Sequence, residues 1–433
     1  MQLRTKRATS LSGHVTVPGD KSITHRALLL GSLGDGPSRI EGYLHGEDCR
    51  ATAGCLAELG IDIERQGQST ILVRGRGLNG WSAPARPLDC VRSGTAMRLM
   101  AGLLSGQRFP SELTGNDQLL ARPMDRVILP LRAMGARIRG ARDDRLPPLL
   151  IEGSPLAGAR HLLPVASAQV KSSLLLAGLY AEGRTEVVEP GPSRDHTERM
   201  LEACGVTVHS QDLAHTLDGP VQSLQPLDVH VPGDFSSAAY LCVAALLVPG
   251  SEVVIENVGT NRTRTGLLDL LREMGADIAE ENAHLEGGEP VADLLVRHSS
   301  LKGISIGGEV VPRAIDEFPI LALAATQATG ETHVRDAREL RVKETDRIGT
   351  TVTALRALGA EIAPTPDGFD IIGPTPLVGT LVDSHDDHRL GMTIAVAGLV
   401  ANGETIVLGA ERIADSYPGF AGTMASLGAE VRP

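Results

Sequence analysis

One nine-residue phrase occurs six times along the chain: LAELGIDIE (56–64), LRAMGARIR (131–139), LEACGVTVH (201–209), LREMGADIA (271–279), LRALGAEIA (355–363) and MASLGAEVR (424–432). Each is an apolar residue, a helical turn, a glycine and a short alternating stretch. Such a phrase reads as a helix that ends on Gly at the first position past its cap and runs straight into a strand. Subtracting positions, Gly60, Gly135, Gly205, Gly275, Gly359 and Gly428 are spaced by 75, 70, 70, 84 and 69 residues. Helix–Gly–strand is common in any α/β protein, but six copies at near-constant spacing imply a repeated unit. The period is longer than that of ordinary solenoid repeats. Each unit has room for about two helices and several strands.

VPGDKS (17–22) is echoed by VPGDFS (231–236), which divides the six units into two halves of three. The expected domains are residues 19–227 and residues 1–18 plus 228–433. The stretch 219–226 reads as the crossover linker between them, and the segment before Pro18 is left open to pair with either half. Composition agrees with two aliphatic cores: 433 residues, 42% hydrophobic and only 2% aromatic. A net charge of −12 provides no global field for nucleic acid, and scarce aromatics provide no stacking platforms. No signal peptide or membrane span is visible, and the five cysteines form no C-x-x-C pair. A cytoplasmic protein with reduced thiols and no metal is expected.

Each unit also has a second, more apolar helix with a polar start: DKSITHRALLL (20–30), RSGTAMRLMAGLL (92–104), SAQVKSSLLLAGL (167–179), DFSSAAYLCVAALL (234–247), DEFPILALAA (316–325) and DDHRLGMTIAVAGL (386–399). Ser or Asp at each start reads as an N-cap, with Asp316 capping the fifth. Lys21, Arg26, Arg98, Lys171 and Arg389 lie in opening turns, where cations oppose the helix dipole. Bound anions, held also by the backbone N–H groups, are the expected compensation.

The ordered set PGDKSITHRALLLGSL (18–33), SGTAMRL (93–99), ARPM (121–124), SAQVKSSLLLAGL (167–179), SRDHTERM (193–200), RVKETDRI (341–348) and DDHRLGM (386–392) resembles the 5-enolpyruvylshikimate-3-phosphate synthase family across nearly the whole chain. The resemblance implies an α/β fold of two domains, each three βαβαββ units in an inverted barrel, with the active site in the cleft between them. It implies transfer of the enolpyruvyl group of phosphoenolpyruvate to the 5-hydroxyl of shikimate 3-phosphate, by addition and then elimination of phosphate, without cofactor. A monomer is expected, and glyphosate competes for the phosphoenolpyruvate site in this family.

Carried over by resemblance, Lys21, Asp316 and Glu344 are catalytic: Asp316 as base for the 5-hydroxyl, Glu344 and Lys21 in proton transfer. Shikimate 3-phosphate is assigned to Lys21, Ser22, Arg26, Ser167, Ala168, Gln169, Arg194, Asp316 and Lys343. Phosphoenolpyruvate is assigned to Lys21, Gly94, Arg122, Gln169, Arg347 and Arg389, whose guanidinium forks suit a phosphate and a carboxylate. Arg98 is read as supporting and His388 as structural. Bland readings stand beside these: Arg26 in a structural ion pair, Arg194 paired with Asp195, Glu344 paired with Arg347 on one helical turn. Two residues depart from the family pattern, Arg92 in place of Asn and Asp415 in place of a Lys found in one branch. UDP-N-acetylglucosamine enolpyruvyl transferase is the nearest alternative, but it has Lys-Asn where this chain has Lys21-Ser22, and a loop Cys that 109–120 lacks. A non-catalytic relative and an RNA 3′-phosphate cyclase are the others; the acidic net charge argues against the latter.

Overall fold

The computed structural model describes residues 1–67 and 69–432. All six glycines of the repeated phrase have positive φ, between +82° and +99°. In every copy the glycine N–H donates to the carbonyl three residues back, and the next N–H to the carbonyl five back, as in Gly60 to Ala57 and Ile61 to Leu56. This double closure is a Schellman motif. The residue that accepts the longer bond, Leu56, Leu131, Leu201, Leu271, Leu355 or Met424, is buried each time. The helix end is therefore tied to the core by the residue that closes it.

Among the described residues the strands form six four-stranded sheets of one pattern. Two parallel strands lie side by side, and in five sheets an antiparallel hairpin adds on with its second strand inward; in the sixth, Gln2–Lys6 takes the inner place beside Val431–Arg432. Leu88–Asp89, Ser111–Thr114, Leu146–Glu152 and Arg137–Gly140 show the order, with Gly94–Ser105 and Asp125–Ala133 as the intervening helices.

The chain forms two compact units, each with its own aliphatic core. The N-terminal unit is Gly19–Val231 with Glu286–Glu289; the C-terminal unit is Met1–Pro18, Pro232–Leu285 and the chain from Pro290 onward. Gln2–Lys6 pairs antiparallel with Glu404–Leu408, and Ser12–Thr16 pairs parallel with Glu252–Gly259, so the first 18 residues supply two strands of the C-terminal unit. In return, Asp228–His230 pairs parallel with Arg39–Glu41 and supplies the missing first strand of the N-terminal unit. This corrects the expected boundary at 227. Residues 219–226 are not a free linker either: the Val221 N–H bonds Leu179 and that of Gln225 bonds Cys204.

The six apolar helices are Lys21–Leu33, Gly94–Ser105, Ala168–Gly178, Phe235–Leu247, Phe318–Thr326 and His388–Ala397. Every residue of Phe235–Leu247 is buried. In the N-terminal unit Gly94–Ser105 packs on both other helices. At its contact with Ala168–Gly178 an added Cβ on Gly102 would stand 2.1 Å from the Ser173 carbonyl oxygen, so only glycine permits that approach. In the C-terminal unit all three helices pack on one another.

Candidate active site

In the N-terminal unit the opening turns of the three buried helices are bonded to each other. Asp20 Oδ1 caps the first at Ile23 N, Ser93 Oγ the second at Ala96 N, and Ser167 Oγ the third at Val170 N, leaving Ala168 as that helix's first residue. Arg26, one turn into the first helix, donates from Nε to Thr197 Oγ1 at 2.6 Å and from one terminal nitrogen to Ser172 Oγ at 2.7 Å. The other terminal nitrogen donates to the Ser22 carbonyl at 2.9 Å. These acceptors are all neutral, and among the described residues no carboxylate lies within ion-pair distance of Arg26. The structural ion pair is thus not its role. Burial lowers its pKa to about 10, which leaves it charged at neutral pH.

Gln169 is held from both ends. Its Oε1 accepts from Arg98 at 2.7 Å, and its Nε2 donates to Thr95 Oγ1 at 2.8 Å, which ties the second and third helix starts. Arg98 also donates to the Pro123 carbonyl, beside Arg122. A Cβ on Gly94 would fall 2.8 Å from an Arg98 nitrogen and 2.9 Å from an Arg122 nitrogen. Gly94 therefore lies directly under two guanidinium groups. Arg194 donates to Ser22 Oγ at 3.5 Å, while its neighbour Asp195 takes Arg199 at 2.9 Å. Lys21 is no solvated loop lysine: it opens the helix, and its Nζ is 3.0 Å from Asp48 Oδ2. Arg92 donates to Gln118.

Lys171 departs from the sequence expectation. Its Nζ is fully buried at 2.7 Å from both Glu189 and Glu198, so its compensating anion is internal and no ligand is needed. Burial alone would lower the ammonium pKa, and the two glutamates more than reverse it.

The opening turns of the C-terminal unit are also linked, here by charges. Asp234 caps Phe235–Leu247 and holds Arg264 at 2.6 Å. Ser236 Oγ and Arg389 both reach Glu317, Arg389 at 3.4 Å. Asp387 caps His388–Ala397 and holds Arg347 at 2.8 Å; burial opposes its ionisation, but Arg347 outweighs that and keeps its carboxyl below the usual range. Asp316 is not the cap expected: the helix begins at Phe318, with Glu317 at the cap position and no side-chain cap bond. Asp316 instead faces three cations, Arg347 at 3.3 Å, Lys343 at 3.4 Å and Arg389 at 3.7 Å. Glu344 pairs with Arg347 at 2.6 Å, yet not on a helical turn, because that helix is Arg347–Ala357 and Glu344 precedes it. The buried Arg347 thus sits among Asp316, Glu344 and Asp387. His388 is buried at the start of its helix, and Asp415 is buried at the end of the 3₁₀ segment Ala410–Asp415.

Residues 5–424 match the sequence family described as EPSP synthase (3-phosphoshikimate 1-carboxyvinyltransferase). Proteins named 3-phosphoshikimate 1-carboxyvinyltransferase from Brevibacillus brevis and Geobacter sp. strain M21 are similar at 50% and 52% identity. The matches cover 96% and 95% of this chain, and 98% and 96% of theirs. The chain belongs to the EPSP synthase family. A solved EPSP synthase from Acinetobacter baumannii has a TM-score of 0.88 at 42% identity, covering all of both chains. Within this EPSP synthase fold, sequence reasoning missed Asp48, Thr197, Ser172, Glu317 and the ion-pair role of Asp387. Only the pair of acids in DEFP (316–319) hinted at Glu317, since one carboxylate cannot both cap a helix and serve a site. Thr197 and Ser172 carry no signal, because they meet Arg26 only through tertiary packing.

Proposed function

We propose that the chain moves the enolpyruvyl group of phosphoenolpyruvate onto the 5-hydroxyl of shikimate 3-phosphate and releases phosphate. The observation that carries this reading is Arg26, a buried guanidinium bonded only to neutral acceptors, which ties the first buried helix to Ser172 of the third and to Thr197. Such a cation, with no carboxylate paired to it, is open to an anionic substrate. We assign shikimate 3-phosphate to Lys21, Ser22, Arg26, Ser167, the Ala168 amide, Gln169 and Arg194, with Asp316 and Lys343 from the other unit. Phosphoenolpyruvate goes to Lys21, Arg122, Gln169, Arg347 and Arg389, with Gly94 giving it access to the backbone. Both units then serve one pair of substrates, as the family resemblance implies, and the six repeated sheets support an inverted two-domain α/β barrel.

The chemistry follows from charge. Asp316 takes the 5-hydroxyl proton as the oxygen attacks C2 of phosphoenolpyruvate, and an acid protonates C3. The tetrahedral adduct then loses phosphate as C3 gives back a proton, with Glu344 and Lys21 as the transfer groups. An anionic substrate reaching Arg347 and Arg389 competes with Asp316 for them, which frees the carboxylate where it is needed. The residues form a complete set of charges for this reaction without a metal. We read the protein as a monomer of the cytoplasm; no helix among the described residues is long and apolar enough to cross a membrane.

The test is phosphate release from phosphoenolpyruvate with shikimate 3-phosphate or UDP-N-acetylglucosamine as acceptor. Release with the first alone is expected, and none with it sinks the reading. In Asp316→Asn turnover should fall about 10²–10⁴-fold, the usual worth of a general base. Near-normal turnover would leave Asp316 as an ion-pair residue only.

A further inference from the structure

That no carboxylate pairs with Arg26 requires an explanation, because the charges of three buried ones, Glu198, Asp20 and Glu289, act on it. Thr197, which takes the Arg26 Nε proton, is followed directly by Glu198, and the charge of Glu198 acts on Arg26. Ser172, which takes a second Arg26 proton, is preceded directly by Lys171. The same two segments therefore meet twice. Ser172 and Thr197 hydroxyls meet at 2.6 Å against Arg26, and Lys171 meets Glu198 at 2.7 Å beside them. Lys171 also takes Glu189 at 2.7 Å, whose other oxygen accepts from Ser193 Oγ. His215 stands 3.4 Å from Glu189 and 3.5 Å from Glu198 and bonds Ser210. Lys171, Glu189 and Glu198 all have side chains no more than 5% exposed, so water screens none of them.

We propose that Lys171 is a positioning residue that holds Glu198 away from Arg26 and so keeps Arg26 available to shikimate 3-phosphate. A buried carboxylate that loses its cation turns to another, and Arg26, which already feels the charge of Glu198, is a permanent one. Lys171 itself touches no substrate. The inference rests on the assignment of Arg26 to shikimate 3-phosphate.

The experiment is steady-state kinetics of the full chain as Lys171→Met and as Lys171→Met/Glu198→Gln. In the single variant KM for shikimate 3-phosphate should rise at least about tenfold, with KM for phosphoenolpyruvate unchanged. The double variant removes the Glu198 charge and leaves Glu189, which keeps Ser193 and His215 beside it, so it should recover most of that loss; a lysine needed only for packing would not be rescued by a second polar change. If the double variant is no better than the single, or if both KM values rise together, the proposal is overturned. Should Lys171→Met not fold, Lys171→Gln keeps a hydrogen-bonding side chain without the charge, and a wild-type KM for shikimate 3-phosphate there overturns it too. Failure of wild type itself to turn over shikimate 3-phosphate would instead strike at the proposed function.

Discussion

Gly94 shows how one absent methyl leaves room for two guanidinium groups. Its Cβ position is occupied by the tips of Arg98 and Arg122, which are flexible ends and can yield. In Gly94→Ala the fold should therefore survive while Arg122 is pushed off its place. KM for phosphoenolpyruvate is expected to rise about 10-fold or more, with KM for shikimate 3-phosphate changing far less, since a methyl-sized misfit is worth roughly 1–3 kcal/mol. Equal effects on both substrates would remove Gly94 from the phosphoenolpyruvate side. His25 gives a residue-scale prediction on stability. Its ring is buried against Thr52, and burial, with Lys21 and Arg26 adding to it and Asp48 opposing, lowers its pKa from 6.5 to about 3. Between those two values the unfolded chain takes a proton that the folded one refuses. Stability from this group is thus full above pH 6.5 and falls by about 1.4 kcal/mol per pH unit down to about pH 3. In His25→Asn the loss of stability between pH 7 and pH 5, read from urea midpoints, should shrink by up to about 2 kcal/mol; an unchanged difference would mean that His25 is protonated in the fold.

The helix ends were legible in the sequence because a Schellman closure needs one residue type at one place. Gly275, at φ +99°, has its nearest obstacle to a Cβ at 3.6 Å, so Gly275→Ala carries backbone strain without a clash. A cost of about 1–2 kcal/mol is expected. Gly54 lies inside Glu47–Glu58 with nothing within 4 Å of an added Cβ, and Gly54→Ala should stabilise by about 0.5–1 kcal/mol. Unfolding midpoints of the two variants should move in opposite directions, and movement in the same direction would refute the conformational reading. The opening turns of the apolar helices were legible as polar caps in five of six cases. Asp316 escaped because a cap and an ion-paired carboxylate look the same in a sequence, and only the cations brought by 343, 347 and 389 separate them. Lys171 was misread for a related reason. Its partners Glu189 and Glu198 come from a different strand–helix connection, and no local pattern announces a charge cluster assembled from distant segments.

At the scale of the whole chain, six repeats could be read from spacing and two halves from the echo of VPGDKS in VPGDFS, but strand exchange could not, since a short strand does not declare its partner. Val229 and Leu3 test that exchange in the intact protein. Both are buried, Val229 beside Ile40 and Leu3 beside Val407. In Val229→Asp, amide exchange should quicken at least about tenfold over Arg39–Glu41, as an uncompensated buried charge costs roughly 1–3 kcal/mol or more. In Leu3→Asp it should quicken over Glu404–Leu408 instead. The reverse pattern would reject the pairing. The exchanged strands also set an order of events on the ribosome. Residues 2–6 are made about 400 residues before their partners at 404–408, a delay of roughly 20–80 s at ordinary synthesis rates. The strand at 228–230 that completes the first sheet appears near mid-synthesis. The N-terminal unit can therefore assemble around its own core while residues 2–6 wait, and Leu3 must stay clear of other chains until Val407 has been made.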